Sequence, residues 1–157
     1  MILVVAEQKD GKLNRASWEA IAGAQQLAQA AGVGAVSVVV AGRDVGAVAN
    51  ELAAADVRGV TTLDHEILGS YTADAFVSAF RQAIDAANPT YVVFSHTYQT
   101  RDFAPALAAA LDRPLITDVI GVKAVSGRAS FARPMFQGKL TADVVPEPSL
   151  AQFTDAK

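Results

Sequence analysis

The chain has 157 residues, 52% of them hydrophobic and 18% charged, with a net charge of −3 and no cysteine. That length suits one domain, residues 1–157, with a core that needs no covalent staple, and the composition excludes a disordered chain. The lack of cysteine removes disulfides, thiolate metal sites and a cysteine nucleophile, and with no basic stripe nucleic acid is not an expected partner.

Ile2 to Ala6 is an unbroken apolar run closed by Glu7-Gln8-Lys9-Asp10-Gly11. Such a run suits a strand covered on both faces. It is too short for a signal peptide and lacks a basic front. No apolar run in the chain approaches the roughly 20 residues that span a bilayer. A soluble cytoplasmic protein without membrane insertion is expected. Asn14 can cap a helix running to Ala31, which Gly32 stops. Ala35 to Ala41 is a second β-branched run ended by Gly42. Val45 to Ala55 reads as a short helix and Gly59 to Leu63 as a third strand. Asp64 to Ser70 is a loop with some helical character, where His65 reads as a solvated side chain. Thr72 or Asp74 can cap the next helix, whose Phe76, Phe80, Ala83 and Ile84 share one face up to Ala87. Asn88-Pro89 breaks it.

Tyr91 to Ser95 is the fourth strand, followed by the polar loop His96-Thr97-Tyr98-Gln99-Thr100-Arg101-Asp102 and an Ala/Leu helix to Leu111. Asp102 is placed to cap that helix, with Pro105 at its third position, where a missing N–H costs nothing. Asp112-Arg113-Pro114 turns the chain into a further apolar run, Leu115 to Val122, read as a fifth strand. Strands and helices thus alternate, which predicts an α/β fold with a doubly wound, mostly parallel sheet and helices on both faces. The tail differs. Asp118 to Val125, Ala129 to Met135 and Lys139 to Val145 read as strands without helices between them, with a turn at Ser126-Gly127-Arg128. Pro146-Glu147-Pro148 reads as a rigid turn and Ser149 to Phe153 as a last strand. These predict a carboxyl-terminal antiparallel β extension.

Most familiar chemistry is missing. Gly32-Val33-Gly34-Ala35 follows a helix and precedes a strand, the reverse of a dinucleotide fingerprint, and reads as a helix stop. Two histidines without cysteine argue against a zinc site. Ser95, His96 and Asp102 lie too close in sequence for a catalytic triad. A small hydrolase using His96 lacks a nucleophile or metal cluster. His96 stands at a strand's carboxyl end, where ligands gather in open α/β sheets, or else hydrogen-bonds the loop backbone. Arg101 favours an anion near the helix start. Asp118, in an apolar run, reads as a buried carboxylate needing a partner. Arg133 is expected to pair with a carboxylate across strands, and Gly138 to permit a tight reversal.

The quoted residues also carry a resemblance. His96-Thr97, Arg101-Asp102, Pro105 and Thr117-Asp118-Val119 are similar to elements of the amino-terminal domain of the electron transfer flavoprotein α subunit. The opening Ile2 to Glu7, the Val39-Val40-Ala41-Gly42 ending and Arg133-Pro134-Met135-Phe136-Gln137-Gly138 resemble the same family. Lys139 departs from the family's Asn, and Thr154-Asp155 stands where it tends to carry an Arg. The resemblance implies a three-layer fold like that of adenine nucleotide hydrolases. It implies a scaffold and interaction domain of a heterodimer that carries electrons from dehydrogenases through FAD to a downstream acceptor, with the β subunit as partner. It implies an electron-carrier domain, not an enzyme, with no catalytic residues of its own. The family's flavin-holding carboxyl-terminal motifs are not in these residues, so FAD belongs to the intact assembly and is not expected on this chain alone. The chain is then a piece of a longer product or a free-standing version. The alternative is a stand-alone adenine-nucleotide module, binding AMP or ATP, since the related β subunit holds AMP. Its candidates are Ala6, Glu7, Ala41, His96, Thr97, Arg101 and Asp102.

Overall fold

Side chains alternate across a strand, so an apolar run in which every residue is buried must be covered on both faces. Strand β1 (Ile2–Ala6) is such a run. A small hairpin, β2 (Gln8–Lys9) with β3 (Lys12–Leu13), follows it and leads into helix α1 (Ala16–Ala31). Next come β4 (Val36–Gly42), α2 (Gly46–Leu52), β5 (Val60–Asp64), a 3₁₀ turn over Glu66–Gly69, α3 (Ala73–Ala87), β6 (Tyr91–Phe94) and α4 (Tyr98–Ala110). The chain then builds β7 (Gly121–Val125), β8 (Arg128–Met135) and β9 (Leu140–Val144). These elements come from a computed structural model that describes residues 1–125 and 128–146. The expected strand Ser149 to Phe153, and parts of the turns at Ser126-Gly127 and Glu147-Pro148, lie outside them.

The parallel sheet has the order β5-β4-β1-β6, with Ile2 beside both Val36 and Tyr91. Its two faces make two cores. Ile2, Val4, Val38 and Val40 point toward Ile21 and Leu27 of α1 and Val48 and Leu52 of α2. Leu3, Val5, Val39 and Ala41 point toward Phe76, Phe80 and Ile84 of α3 and Phe103 and Leu107 of α4. The doubly wound expectation holds. A separate antiparallel sheet, β7-β8-β9, sends Ala129 and Phe131 into the α1 core, so the carboxyl-terminal extension is as expected.

Several local expectations are corrected. Leu115 to Ile120 forms no strand, and among the described residues the parallel sheet has four strands. Asp112 (φ +50°) takes left-handed backbone before the run and Asp118 (φ +57°) takes it in the middle of the run, where it interrupts an extended strand. Helix α4 starts earlier than the Asp102 cap implies. Thr97 is its cap, its hydroxyl accepting the Thr100 N–H at 3.1 Å, and Asp102 sits in the second turn. Pro105 is therefore inside the helix, on its exposed side, where water can take the carbonyl left without a donor. Arg15 occupies the α1 cap position without a side-chain bond, and Asn14 serves from one residue earlier, its Oδ1 accepting the Ala16 N–H at 3.0 Å. Thr72 occupies the α3 cap position without a side-chain bond, and Asp74 lies in the first turn. His65 is not merely solvated, because its Nδ1 accepts the Ile67 N–H at 3.2 Å.

Candidate functional site

The chain places β4 and β5 on one side of β1, then crosses to put β6 on the other. Strand order therefore reverses between β1 and β6, and ligands in open α/β sheets favour the carboxyl ends of strands at such a point. Glu7 follows β1 there, and His96 and Thr97 follow β6.

Glu7 is thoroughly tied. Thr97 Oγ1 donates to Glu7 Oε2, and Asn14 Nδ2 donates to Glu7 Oε1 at 2.7 Å. The Glu7 N–H goes to Ser17 Oγ at 2.9 Å, and the Asn14 N–H goes to the Glu7 carbonyl at 2.8 Å. One carboxylate thus staples the ends of β1 and β6 and the approach to α1. The next residue seals the neighbouring gap. Gln8 Nε2 donates to the Ala41 carbonyl at 3.1 Å, and Gln8 Oε1 accepts the Gly11 N–H at 3.0 Å. Ala6 and Ala41 are buried beneath it. The space left among Val5, Gln8, Ala41, Phe76 and Phe103 is about 10 Å³, at most one water.

An open cleft of about 610 Å³ lies on the β6 side, lined by Glu7, Asn14, His96, Thr97, Tyr98, Gln99 and Arg101. Four of the sequence candidates, Glu7, His96, Thr97 and Arg101, therefore meet in one place. Asp102 does not line that cleft. Its Oδ2 accepts the Tyr71 hydroxyl at 2.6 Å, and burial first, then this bond and the carboxylate's charge, push the Tyr71 phenol well above its ordinary range. Tyr98 is 90% exposed, with the Arg101 guanidinium 5.9 Å over its ring. Asp118 is not buried as expected. It is half exposed, and His96 Nε2 stands 3.1 Å from its Oδ1. Among the described residues Arg133 pairs with no carboxylate; its Nη2 donates to Thr117 Oγ1 at 3.3 Å. Gln8, Tyr71, Tyr98 and Gln99 escaped sequence reasoning as site residues. Tyr98 and Gln99 carried a signal, their place in the polar loop after the fourth strand, whereas Gln8 and Tyr71 carried none.

The electron transfer flavoprotein domain matches residues 2–154 of this chain. The chain belongs to the electron transfer flavoprotein family. It is 35% identical over 144 residues to the electron transfer flavoprotein subunit alpha of Bacillus subtilis, covering 92% of this chain and 43% of that protein. The α subunit of Syntrophomonas wolfei is 32% identical over 149 residues, covering 94% of this chain and 45% of that protein. The acryloyl-CoA reductase electron transfer subunit beta of Anaerotignum propionicum is 31% identical over 117 residues, covering 74% of this chain and 32% of that protein. The chain spans less than half the length of these relatives.

The residues at the switch point of this electron transfer flavoprotein domain do not fit the pyrophosphate of a dinucleotide such as FAD. A pyrophosphate needs converging N–H donors and no nearby carboxylate. Here Glu7 lies at the edge of the cleft, the Thr100 N–H is taken by Thr97, and Gln8 fills the gap beside β4. Among the described residues no group of three or more His, Asp or Glu side chains is placed to hold a metal, and no helix is long and apolar enough to cross a membrane.

Gly42 is what lets Gln8 lie there. A Cβ at Gly42 would collide with Gln8 Nε2 and come within 2.6 Å of Val45 Cγ1. Gln8 can swing out into solvent, but Val45 is fully buried. Gly42→Ala is therefore expected to cost about 1–3 kcal/mol by overpacking, read as a lower midpoint in urea unfolding.

Proposed function

We propose that this chain is the scaffold and interaction domain of a heterodimeric electron transfer flavoprotein. The β subunit is its docking partner. FAD is held in the intact assembly, chiefly by parts other than these residues, and carries electrons from dehydrogenases to a downstream acceptor. On this reading the domain works as a platform in the cytoplasm and performs no catalytic step itself.

One observation carries the docking role. Large apolar side chains are exposed along the antiparallel sheet, on the turn between β8 and β9 and on the segment leading into it: Val119, Ile120, Val125, Met135, Phe136 and Leu140. Ile120 and Phe136 are 68% and 70% exposed. Scattered exposed apolar residues are ordinary, but a group of them on one small sheet is the mark of an interaction surface. The family match and the α-subunit relatives support the choice of partner.

The test is to mix the purified chain with its β subunit and measure association by sedimentation, with FAD titrated into the chain alone in parallel. A stable one-to-one complex and a colourless isolated chain are expected. Failure to associate, or stoichiometric FAD on the chain by itself, overturns the reading. The alternative of an AMP-binding module draws on Arg101 and His96 in the open cleft, but the Glu7 carboxylate and the Gln8 seal oppose it. Calorimetry with millimolar AMP is expected to show no saturable heat.

A further inference from the structure

The exposed apolar sheet is joined to the parallel sheet through an irregular segment, and the structure shows how that segment is held. After α4 the chain runs from residue 111 to residue 120 without helix or strand. Its turning point is Thr117-Asp118, where Asp118 adopts left-handed backbone with φ +57°. Two side chains from distant elements grip this point. His96, from the β6–α4 loop, brings Nε2 to 3.1 Å from Asp118 Oδ1. Arg133, from β8, donates through Nη2 to Thr117 Oγ1 at 3.3 Å. Immediately afterwards the Ile120 N–H goes to the Ala132 carbonyl at 2.9 Å, which starts the β7–β8 pairing.

His96 is itself well anchored. The strand before it pairs with β1, and the residue after it is bound to Glu7, which Asn14 holds in turn. A continuous set of contacts thus runs from the start of α1 through Glu7, Thr97 and His96 to Asp118, Thr117 and Arg133. It joins the switch-point end of the parallel sheet to the middle strand of the apolar sheet.

We propose that His96–Asp118 and Arg133–Thr117 form a clamp that fixes the orientation of the antiparallel sheet for docking, making His96 and Asp118 positioning residues for a surface to which they do not belong. Ile120, among the most exposed apolar residues, lies two residues beyond Asp118, so any slack at the turn is delivered directly to the docking face. His96 and Asp118 are both half exposed, and a pair of this kind is weak. The clamp therefore governs local opening and leaves global stability almost untouched. The docking part of the proposal rests on the platform reading above, whereas the clamp itself does not.

Two variants isolate it. Asp118→Asn removes the charge and keeps a residue that tolerates left-handed backbone. His96→Ala removes the other partner. In hydrogen exchange on the full chain, each variant is expected to speed exchange in β7 by about two- to fivefold, with β1 and β4 unchanged. The double variant is expected to go no further than either single one. Unchanged β7 exchange, additive effects, or equal acceleration in β1 overturns the clamp. Affinity for the β subunit is expected to weaken by a similar factor. If β7 exchange responds and affinity does not, the positioning role is overturned. If the unaltered chain does not bind the β subunit at all, the platform reading fails, and β7 exchange alone decides the clamp.

Discussion

Phe103→Ala is expected to lower the unfolding free energy by about 3–5 kcal/mol, the largest single effect on stability we anticipate. Phe103 is 2% exposed and comes from α4 into the core beneath one face of the parallel sheet. Its ring stacks on Phe80 at 5.5 Å and 29°, and Phe94 meets it edge-on at 5.9 Å and 70°. Phe76 lies 6.2 Å away. Four rings thus share one site, contributed by α3, α4 and β6. Removing the central one leaves a void that three rigid neighbours on two other elements, Phe76 and Phe80 of α3 and Phe94 of β6, cannot easily close. Chemical denaturation should show a lower midpoint with an unchanged slope. Tyr98→Ala on the same helix is the control. Tyr98 is 90% exposed, and its loss should change stability by less than about 0.5 kcal/mol. A similar cost for both substitutions would mean that α4 does not bury the face described.

Phe136→Asn is expected to weaken β-subunit binding by roughly 30-fold or more while leaving the isolated chain as stable as before, or more so. Phe136 is 70% exposed, so its ring adds little to the folded monomer. Its backbone is left-handed, φ +51°, at the head of a turn continued by Gln137 (φ +57°) and Gly138 (φ +83°). A bulky residue is strained in that conformation, whereas asparagine adopts it readily. A side chain that is both exposed and unfavourably placed has no evident reason within the monomer, and a buried aromatic anchor at an interface supplies one. Sedimentation with the β subunit gives the affinity, and thermal unfolding of the isolated chain gives the stability. Unchanged affinity would remove Phe136 from the docking surface.

Much of the fold was legible because double-sided burial writes itself plainly. Ile2 to Ala6 is apolar throughout and Val36 to Gly42 is so but for Ser37, and only a sheet covered on both faces uses such runs. The Leu115 to Ile120 segment shows the limit of that rule. It has the composition of a buried strand, yet Leu115, Val119 and Ile120 are exposed. A surface awaiting a partner and a core strand are both apolar, and one chain read alone does not separate them. Asp102 failed as a cap for a related reason. Thr97 and Asp102 are both good capping residues, and the choice between them was made by the Glu7 contact, which spans 90 positions and depends on tertiary placement. Gln8 looked like any polar residue in a turn. Its role emerged only when β4 brought the Ala41 carbonyl beside it.

The central position of β1 also bears on how the chain is made. One flank of Ile2–Ala6 is satisfied by Val36–Gly42, but the other waits for Tyr91–Phe94. During ribosomal synthesis Ile2–Ala6 therefore keeps a bare edge until Tyr91–Phe94 has emerged. Such a nascent edge invites off-pathway self-association, and the late arrival of its second neighbour marks the vulnerable interval in biogenesis.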